Sequence, residues 1–363
     1  MENLKNRLKT ARLARGWSQD ELARASGVSR SGISAIEIER LVPSAAAALR
    51  LAKVFDCRVE DLFSLDDDGP SAPAWATSPQ GACRYWQAEV DGRLLAYPAD
   101  TFGDITTAHD GMFDGTSMHP AEQFAAERTL VMACCDPAVG LLAEELARHA
   151  NVRLLILSRS SSQALELLRN RQVHVAGVHL SHAAEDGNAT AIEETLGRTA
   201  QYKLLRAARW EEGLAITPDR RMNSIRSVLA ARLRWIGREA GSGAHQCLTE
   251  IRRDRTPPKH NAHSHRGVAE TIRSGLADVG VCLRLVSEQA GLNFLSVREE
   301  AYDLCFAADQ MHDPRIAALV EAIRSPGYRK LLSELPGYSA VDAGGLQSVG
   351  ATSTERPFSS SNS

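Results

Sequence analysis

Apolar residues recur every three or four positions along the first 65 residues of the chain, a spacing that predicts five short helices. We expect the first helix to begin at Leu4. Ser18 and Ser29 precede the next two helices, where a serine hydroxyl caps free backbone N–H groups, and Glu21 completes a capping box with Ser18. Gly27 lies between these two helices, and its missing Cβ permits a sharp turn. The other positions expected to form the core are Leu8, Ala11, Leu22, Ala23, Ile33, Ile36, Ala48, Leu51, Ala52, Phe55, Val59, Leu62 and Phe63.

Two helices joined by a glycine turn predict a helix-turn-helix domain over residues 1–65, in which the start of the third helix enters the major groove of double-stranded DNA. Short donors and one arginine at that helix start can bind bases or phosphate, and polar side chains on either side are placed for phosphate contacts. The residues expected to contact DNA are Gln19, Ser29, Arg30, Ser31, Ser34 and Arg40. A generic helical bundle with a polar surface is the alternative interpretation.

The charge distribution is compatible with DNA binding by this segment. Residues 1–65 contain 11 Lys and Arg against 8 Asp and Glu, a net charge of +3. The whole chain has a net charge of −3, which leaves −6 for the remainder. A basic head on an acidic body is the asymmetry expected when only the head binds nucleic acid.

An ordered set of motifs in this segment resembles the XRE/lambda-Cro repressor family. The matching stretches are Trp17–Ala23, Gly27–Ser29, Ile33–Ser34, Ile36–Glu37, Pro43–Ser44 and Asp61–Phe63. The resemblance implies a DNA-binding transcriptional regulator. Glu39 departs from the family, which usually has glycine after the third helix.

The rest of the chain divides into four segments by composition and pattern. Residues 66–82 are acidic and rich in Pro, Ser and Ala, which is typical of an interdomain linker. Residues 83–127 are expected to be a connector, and the dipeptide Asp91–Gly92 between alternating segments predicts a β-hairpin within it. Residues 128–342 are expected to form a ligand-binding domain. The Ser/Thr-rich tail 343–363 is expected to be disordered.

Continuous apolar runs alternate with helical patterns in the ligand-binding domain, which predicts parallel strands between helices. The expected strands are 130–134, 154–157, 173–178, 234–236, 279–283 and 293–297, and the expected helices are 137–149, 162–171, 243–253, 265–274 and 285–290. Because the alternation restarts after residue 216, we expect two lobes joined by crossing strands, with a cleft between them. The predicted fold class is therefore an all-α helix-turn-helix head plus an α/β two-lobed body.

Polar residues at the ends of these strands predict a site for a small anion in the cleft. Hydroxyls and free N–H groups at helix N-termini favour negative charge, and residues 215–260 contain 10 Lys and Arg against 4 Asp and Glu. The candidate ligand-binding residues are Cys135, Asp136, Ser160, Ser161, Ser162, His179, Gly241, Ser242, Gly243 and Ser264. Each serine could instead be only a helix cap, and Asp136 would repel an anion unless it positions a donor.

Several stretches of this domain resemble the periplasmic-binding-protein-like domain of regulators and molybdenum-related proteins, and are similar to periplasmic molybdate-binding proteins. They are Cys135–Ala138, Ser160–Ser162, Ala176–Leu180, Gly213–Ile216, Ala240–Gly243, Ser274–Gly280 and Ser325–Tyr328. The resemblance implies a fold like that of type II binding proteins and makes molybdate or tungstate the candidate effector. Cys134, where the pattern usually has glycine, and the stretch 256–265 depart from it.

The remaining signals narrow the functional class. The sequence has no run of the roughly 18 apolar residues that a membrane helix needs, and its N-terminus does not resemble a secretory signal, so a cytoplasmic protein is expected. The seven cysteines have no CxxC spacing. The spacing of His260, His263 and His265 fits no metal-site template, so no metal or other cofactor is expected. No nucleophile motif is found, so an enzyme is not expected either.

These expectations combine into a ligand-responsive transcriptional regulator. A homodimer is expected, because one helix-turn-helix reads only a half-site of a DNA operator. The alternative is a DNA-binding regulator whose body is a ligand-free dimerisation or protein-interaction module.

Overall fold

The chain folds into two compact units, Met1–Ala72 and Pro73–Ser363. The computed structural model describes residues 4–55, 57–65, 73–99, 108–121, 126–180, 187–197, 201–253 and 256–350. Part of the expected linker, 66–72, and the last 13 residues of the expected tail, 351–363, lie outside the described residues. Within those described ranges, no helix is both long enough and apolar enough to cross a bilayer.

The described part of the first unit is a five-helix bundle with a two-stranded ribbon. Its elements are β1 (Leu4–Asn6), α1 (Leu8–Ala14), α2 (Gln19–Ser26), α3 (Arg30–Glu37), α4 (Ala45–Phe55), α5 (Val59–Leu62) and β2 (Phe63–Leu65). The predicted apolar positions pack into one core, in which Leu8, Leu22, Ile33 and Leu51 are fully buried. The helical head is therefore confirmed.

The first helix begins later than its apolar spacing predicted. Leu4 pairs with Leu65 in the antiparallel ribbon of β1 and β2. The N–H of Leu8 donates to Asn6 Oδ1 at 2.9 Å, and α1 begins there. The assignment of Leu4 to a helix was wrong, because its side chain packs against the core from a strand whose backbone is paired with another strand.

The turn between α2 and α3 forms as predicted. The Oγ of Ser18 accepts from the N–H of Glu21 at 3.2 Å, and the carboxylate of Glu21 accepts from the N–H of Ser18 at 2.7 Å. Gly27 ends α2 with a φ of 67°, in the left-handed region that glycine adopts freely. Ser29 then caps α3. Local hydrogen bonds thus determine where both helices begin.

Glu39 lies just after α3 with a φ of 59°, which is also in the left-handed region. We predict that Glu39→Gly stabilises the first unit by about 0.5–1 kcal/mol, because the relief of backbone strain exceeds the additional entropy that glycine loses on folding. Native-state hydrogen exchange of residues 8–62 in the full chain measures this free energy of unfolding. Glu39→Ala removes the charge but keeps the strain, so equal gains from both variants would contradict this explanation.

The described part of the second unit opens with a five-stranded sheet. Its strands are β3 (Ala74–Trp75), β4 (Cys83–Val90), β5 (Arg93–Pro98), β6 (Gly111–Phe113) and β7 (Met118–Pro120), in the spatial order β3-β5-β4-β6-β7. Asp91 and Gly92 join β4 to β5 with φ values of 53° and 70°, as a type I′ hairpin turn requires. Trp86 and Tyr97 share a core with Val131. The expected linker is therefore shorter than 66–82, because residues from 73 onward belong to the second unit and β3 pairs with β5.

The remainder of the second unit is a ten-stranded mixed sheet with flanking helices. Its strands are β8 (Thr129–Cys134), β9 (Arg153–Ser158), β10 (Val175–Val178), β11 (Tyr202–Ile216), β12 (Trp235–Arg238), β13 (Asn261–Ala262), β14 (Val279–Leu283), β15 (Asn293–Ala307), β16 (Tyr338–Ser339) and β17 (Leu346–Val349). Its helices are α6 (Val139–Ala150), α7 (Ser161–Arg169), α8 (Gly187–Leu196), α9 (Ile225–Ala230), α10 (Gly243–Arg252), α11 (His265–Arg273), α12 (Arg284–Gln289), α13 (Pro314–Arg324) and α14 (Pro326–Ser333). Short 3-10 helices occupy Ala126–Arg128 and Ala308–His312.

Two long antiparallel strands, β11 and β15, run through both lobes of this sheet. In the first lobe β10, β8 and β9 follow β15, and in the second lobe β14, β12 and β13 follow β11. In each lobe the three outer strands are parallel to one another, and the innermost is antiparallel to a crossing strand. The same strand order is thus repeated twice, and the predicted two-lobed α/β body with crossing strands is confirmed.

The crossing strands extend further than the sequence predicted. We expected β15 to end at Val297, but it continues to Ala307 beside β11. The charged residues from Arg298 to Glu300 hide this continuation, because they interrupt the apolar pattern while Arg298 and Glu300 pair inside the unit. Similarly, residues 346–349 do not belong to a disordered tail, because they form β17, which pairs with β11, and Val349 is buried there.

Candidate functional site

The start of α3 is an exposed polar patch on the first unit. Ser29 Oγ accepts from the N–H of Gly32 at 3.1 Å and lies 3.3 Å from Ser31 Oγ. Arg30 Nε is 3.3 Å from Asp20 Oδ1, but these side chains are 68% and 63% exposed. Water therefore weakens this ion pair, and Arg30 can exchange the carboxylate for a phosphate or a base.

The other predicted DNA contacts have different surroundings. Gln19 Nε2 donates to Glu37 Oε2 at 2.9 Å, so the amide of Gln19 already has a partner within the domain. Ser34 is half-buried on α3, and Arg40 is exposed beyond its end. The exposed patch therefore consists of the three residues at the start of α3, and Arg40 lies outside that helix.

A buried ion pair supports this patch from inside the domain. Arg12 Nε and Nη2 donate to the two carboxylate oxygens of Glu37 at 2.6 and 3.0 Å, and the side chains are only 9% and 2% exposed. Arg12 Nη1 also donates to the carbonyl of Trp17 at 2.6 Å. Burial raises the pKa of Glu37, but the hydrogen bonds from Arg12 and Gln19 outweigh burial and hold this pKa below its usual value. The pair thus links α1, the start of α2 and the end of α3.

Residues from both lobes of the second unit line a small, partly open cavity. Its volume is about 60 Å³, enough for about four to six waters at roughly 10–15 Å³ each. The lining residues come from the ends of β8 and β9, from the start of α6 and from the start of α11. They are Cys134, Cys135, Asp136, Pro137, Val139, Ile156, Ser158, Ser264, His265 and Arg266. Three of the predicted ligand residues therefore line the same cavity, Cys135 and Asp136 from the first lobe and Ser264 from the second.

A thiol, an imidazole and a carboxylate lie in a row beside this cavity. Cys135 Sγ is 3.0 Å from Nε2 of the fully buried His179. His179 Nδ1 is 3.0 Å from Glu300 Oε2, which also accepts from Trp210 Nε1 at 3.4 Å. The carboxylate thus orients the imidazole so that Nε2 faces the thiol.

The charges in this row depend on one another. Burial lowers the pKa of His179, but Cys135 and Glu300 together raise it well above its usual value. Burial raises the pKa of Glu300, but the hydrogen bond from His179 holds it below its usual value. His179 can therefore hold a proton between the thiol and the carboxylate.

Asp136 also lines the cavity, but its carboxyl group is held by hydrogen bonds from Tyr338 and Ala138 instead of belonging to the row of Cys135, His179 and Glu300. Burial raises the pKa of Asp136, against hydrogen bonds to its Oδ1 from Tyr338 Oη at 2.7 Å and from the N–H of Ala138 at 2.9 Å. The sequence predicted that Asp136 would need a positioning role beside an anion. The structure shows that its carboxyl group holds Tyr338 and the turn that leads into α6.

His265 is buried at the start of α11 without a partner for its ring. Among the residues that the structure describes, neither Nδ1 nor Nε2 of His265 has a hydrogen-bond partner. Burial, followed by the charges of Arg238 and His179, lowers the pKa of His265 well below its usual value. A neutral, buried and unpaired imidazole is destabilising, by about 1–3 kcal/mol for one lost hydrogen bond.

Four of the predicted serines have structural partners. Ser160, Ser242 and Ser264 are the N-caps of α7, α10 and α11, and the hydroxyl of each accepts a backbone N–H. Ser161 Oγ accepts from the backbone N–H of His179 at 3.1 Å. These hydroxyls thus position the helix starts around the cavity, and Ser264 also lines the cavity itself.

The glycines and Ser162 lie where the two lobes touch. Ser162 Oγ in the first lobe donates to the carbonyl of Gly241 in the second lobe at 3.0 Å. A Cβ on Gly243 would lie 2.4 Å from both Nδ1 and the carbonyl oxygen of His179, so only glycine fits there. The two lobes are therefore in direct contact beside the cavity.

Arg298 faces three carboxylates behind His179. Its Nη2 is 3.0 Å from Glu212 Oε2 and also contacts Glu300, and its Nη1 is 2.9 Å from Glu250 Oε2. Burial and the nearby charge of Glu300 raise the pKa of Glu212 to about 8. Because His179 keeps Glu300 ionised, Glu212 is the carboxyl group of this set that takes up a proton.

We predict that Glu212→Gln makes the second unit more stable than the wild type above pH 8. The pKa of Glu212 is raised from 4.5 to about 8 in the fold, so its stabilising contribution is complete below pH 4.5 and is lost as the pH rises to 8. The substituted amide cannot ionise, and at about 1.4 kcal/mol per pKa unit the relative gain should reach about 1–3 kcal/mol after relaxation of the charged state. Scanning calorimetry at pH 6 and pH 9 measures it. Glu211→Gln, at a partly exposed neighbour, is the control. A stability difference between Glu212→Gln and the wild type that is the same at pH 6 and at pH 9 would contradict the prediction.

Sequence reasoning missed the charged residues behind the cavity. Arg298 and Glu300 are two positions apart on β15, so they share a face, and the strand register places Arg298 opposite Glu212. No apolar residue separates them, because Glu299 lies between, so the sequence pattern gave no signal for this pair and the predicted strand ended at 297. His265 was grouped with other loop histidines, and its spacing could not show that it lies in the cleft.

The two units together define the class of this protein, which is a helix-turn-helix domain joined to a two-lobed body of the binding-protein fold. The family described as "Helix-turn-helix" matches residues 8–62, and the family described as "PBP superfamily domain" matches residues 143–324. Since the second match covers half of the chain, the protein belongs to the family with a PBP superfamily domain.

Several known proteins are similar to this chain, some by sequence over the first unit and others by structure. The uncharacterised HTH-type transcriptional regulator YgzD of Bacillus subtilis is 38% identical over 65 residues, which are 18% of this chain and 98% of the relative. An uncharacterised HTH-type regulator of Methanocaldococcus jannaschii is 42% identical over 65 residues, with the same coverage. A structure described as the tungstate ABC transporter from Geobacter sulfurreducens is 14% identical, covers 57% of this chain and 99% of its own, and has a TM-score of 0.43. The first unit is thus a domain of the HTH-type transcriptional regulators.

Proposed function

We propose that this DNA-binding regulator acts as a homodimer and senses a small polar ligand in the cleft of its second unit, without catalysing a reaction. Molybdate and tungstate are the first effectors to test. The observation that carries the proposal is the cavity lined by both lobes, with the imidazole of His265 buried in its wall and without a hydrogen-bond partner among the described residues.

The donors around the cavity support an oxyanion. The lining includes the hydroxyls of Ser158 and Ser264 and the guanidinium-bearing Arg266. A hydroxyl, an imidazole N–H and a guanidinium can each donate to an anionic oxygen. A neutral His265 has one ring N–H to contribute.

Lobe closure supplies a route from ligand to DNA. The lobes are joined by β11 and β15, so a ligand that contacts both lobes favours their closed arrangement. Dimeric helix-turn-helix proteins read half-sites about 34 Å apart, so a change in the spacing of the heads changes DNA affinity. The effects of ligand on DNA binding and of DNA on ligand binding must then be equal.

The direct contacts between the lobes favour a second candidate. Ser162 already bonds to Gly241, and His179 packs on Gly243, so the lobes are held in contact with a small cavity between them. In this alternative the body is a ligand-free dimerisation or protein-interaction module.

Selection from random-sequence DNA with the full chain, followed by affinity measurements on the selected site, tests both candidates. We predict that Arg30→Ala weakens binding by about 5- to 150-fold, since one good arginine–base contact contributes about 1–3 kcal/mol. Arg148→Ala, at an exposed position on α6, is the control. A selective change in DNA affinity with molybdate or tungstate, but not with sulfate or phosphate, supports an oxyanion sensor. DNA binding that no anion changes supports the second candidate, and no DNA selection at all would overturn both.

A further inference from the structure

We propose that Cys135, His179 and His265 form a binding site for a borderline or soft metal cation, such as Zn²⁺, at the floor of the cleft. The inference deepens the proposed function, because a cation at this site would leave a coordination position for the oxyanion of the same cleft, and it rests on that function for its regulatory meaning. Metal binding itself can be measured without DNA.

Three donor atoms converge from both lobes. The Sγ of Cys135 and one ring nitrogen each of His179 and His265 all lie within 4.8 Å of one another. Cys135 follows β8 and His179 follows β10 in the first lobe, whereas His265 begins α11 in the second lobe. A cation held by all three residues would therefore bind the lobes to each other.

The unpartnered ring of His265 is the observation that favours a metal over an internal hydrogen-bonded cluster. His265 is 2% exposed, and neither of its ring nitrogens has a partner among the described residues. The ring centroids of His265 and His179 are 6.1 Å apart, so one cation between them can reach a nitrogen of each. A bound cation would satisfy the nitrogen that the fold leaves unpaired.

Glu300 prepares His179 for this role. A histidine that binds a metal commonly donates its other ring N–H to a carboxylate, which fixes the tautomer and the ring orientation. His179 Nδ1 lies 3.0 Å from Glu300 Oε2, while Nε2 faces Cys135 Sγ at 3.0 Å. The Nε2 atom thus points toward the other donors.

The chemistry of the donors indicates the class of cation. One thiolate and two imidazoles are typical ligands of Zn²⁺ and of related borderline or soft metals. Cys135 would bind as the thiolate, so the proton held between Sγ and Nε2 is released to solvent when the cation takes its place. Three protein ligands leave one coordination position for water or for an anion in the adjoining cavity.

The chemistry around Cys135, His179 and His265 favours a cation over an anion as the ligand that these three residues bind directly. A thiolate has no proton to donate to an oxyanion, and Asp136, which also lines the cavity, repels one when it is ionised. The row of Cys135, His179 and Glu300 could also activate a cysteine nucleophile. That function would use His179 alone as the base and would leave His265 unpaired.

Titration of the reduced full chain with Co²⁺ as a spectroscopic substitute for Zn²⁺ tests the site. We expect one equivalent of Co²⁺ to produce thiolate-to-cobalt charge-transfer absorption, which Zn²⁺ then abolishes. Cys135→Ser should remove this absorption, and His265→Gln should weaken Co²⁺ binding at least about 10-fold. The controls are Cys83→Ser, in β4, and His260→Gln, an exposed histidine five positions before His265, and both should bind as the wild type does.

Each result decides for or against the site. A wild-type chain that is folded by circular dichroism yet gives no thiolate absorption would overturn the proposal, and so would unchanged Co²⁺ binding by Cys135→Ser. If Co²⁺ binds as expected but neither Zn²⁺ nor an oxyanion alters DNA affinity, the metal site stands and the proposed sensing fails. If molybdate or tungstate alters DNA affinity after treatment with a chelator and no cation binds, the sensing stands and the metal site fails.

Discussion

Glu37→Ala is expected to destabilise the first unit by about 3–5 kcal/mol and to abolish DNA binding at 37 °C. The substitution leaves the guanidinium of Arg12 buried without its partner, and an uncompensated buried charge has a cost of this size. It also removes the acceptor of Gln19 and so loosens the start of α2. Because folded proteins have a stability of only about 0.05–0.15 kcal/mol per residue, a head of about 65 residues has roughly 3–10 kcal/mol in total, so a large fraction of it should unfold. Native-state hydrogen exchange of residues 8–62 measures the loss.

Two further variants separate the buried pair from a general effect of losing an acid. Glu60→Ala removes an acid whose side chain is 70% exposed and which is paired with Arg58, so it should change the free energy of unfolding by less than about 0.5 kcal/mol. The double variant Arg12→Met with Glu37→Met removes both charges together and should recover part of the loss. A Glu37→Ala effect as small as that of Glu60→Ala would show that the pair does not hold the helices together.

Arg298→Met is the corresponding prediction for the second unit, with an expected loss of about 3–5 kcal/mol. Glu212 is fully buried and Glu300 is 2% exposed, and both would lose the cation that lies between them. The loss should grow as the pH rises toward 8, because Glu212, whose pKa is raised to about 8, ionises in that range. Scanning calorimetry should show a fall in Tm of roughly 6–20 °C, at about 2–4 °C per kcal/mol for a unit of this size.

The same measurement on a double variant tests the cause. Glu212→Gln in the Arg298→Met background removes one of the two stranded carboxylates, so it should recover part of the lost Tm at pH 9 and little at pH 6. Arg284→Met is the control for the loss of an arginine, because Arg284 forms ion pairs at the surface with Glu211 and Glu288. Equal losses from Arg298→Met and Arg284→Met would mean that burial of the carboxylates is not the reason.

Local interactions explain why much of the head could be predicted. The capping box of Ser18 with Glu21 spans three residues, and Gly27 determines the turn through its own backbone conformation. The side chains at the start of α3 are exposed because the apolar positions of that helix all lie on its other face. Gln19 shows the limit of this reasoning, since its position at the start of α2 suggested a phosphate contact and its amide instead bonds to Glu37, 18 residues away.

The sequence by itself determined the capped helices, the glycine turn, the alternation of strands and helices in two lobes, and the strand ends at which a ligand site belongs. All of these depend on interactions within a few residues along the chain. Only the tertiary structure decided which strand ends meet. Cys135 and His179 are 44 positions apart, His179 and Glu300 are 121 positions apart, and they meet because the register of β10 with β8 on one side and with β15 on the other brings their strand ends together. That register depends on packing across the whole sheet, and no local pattern in the sequence contains it.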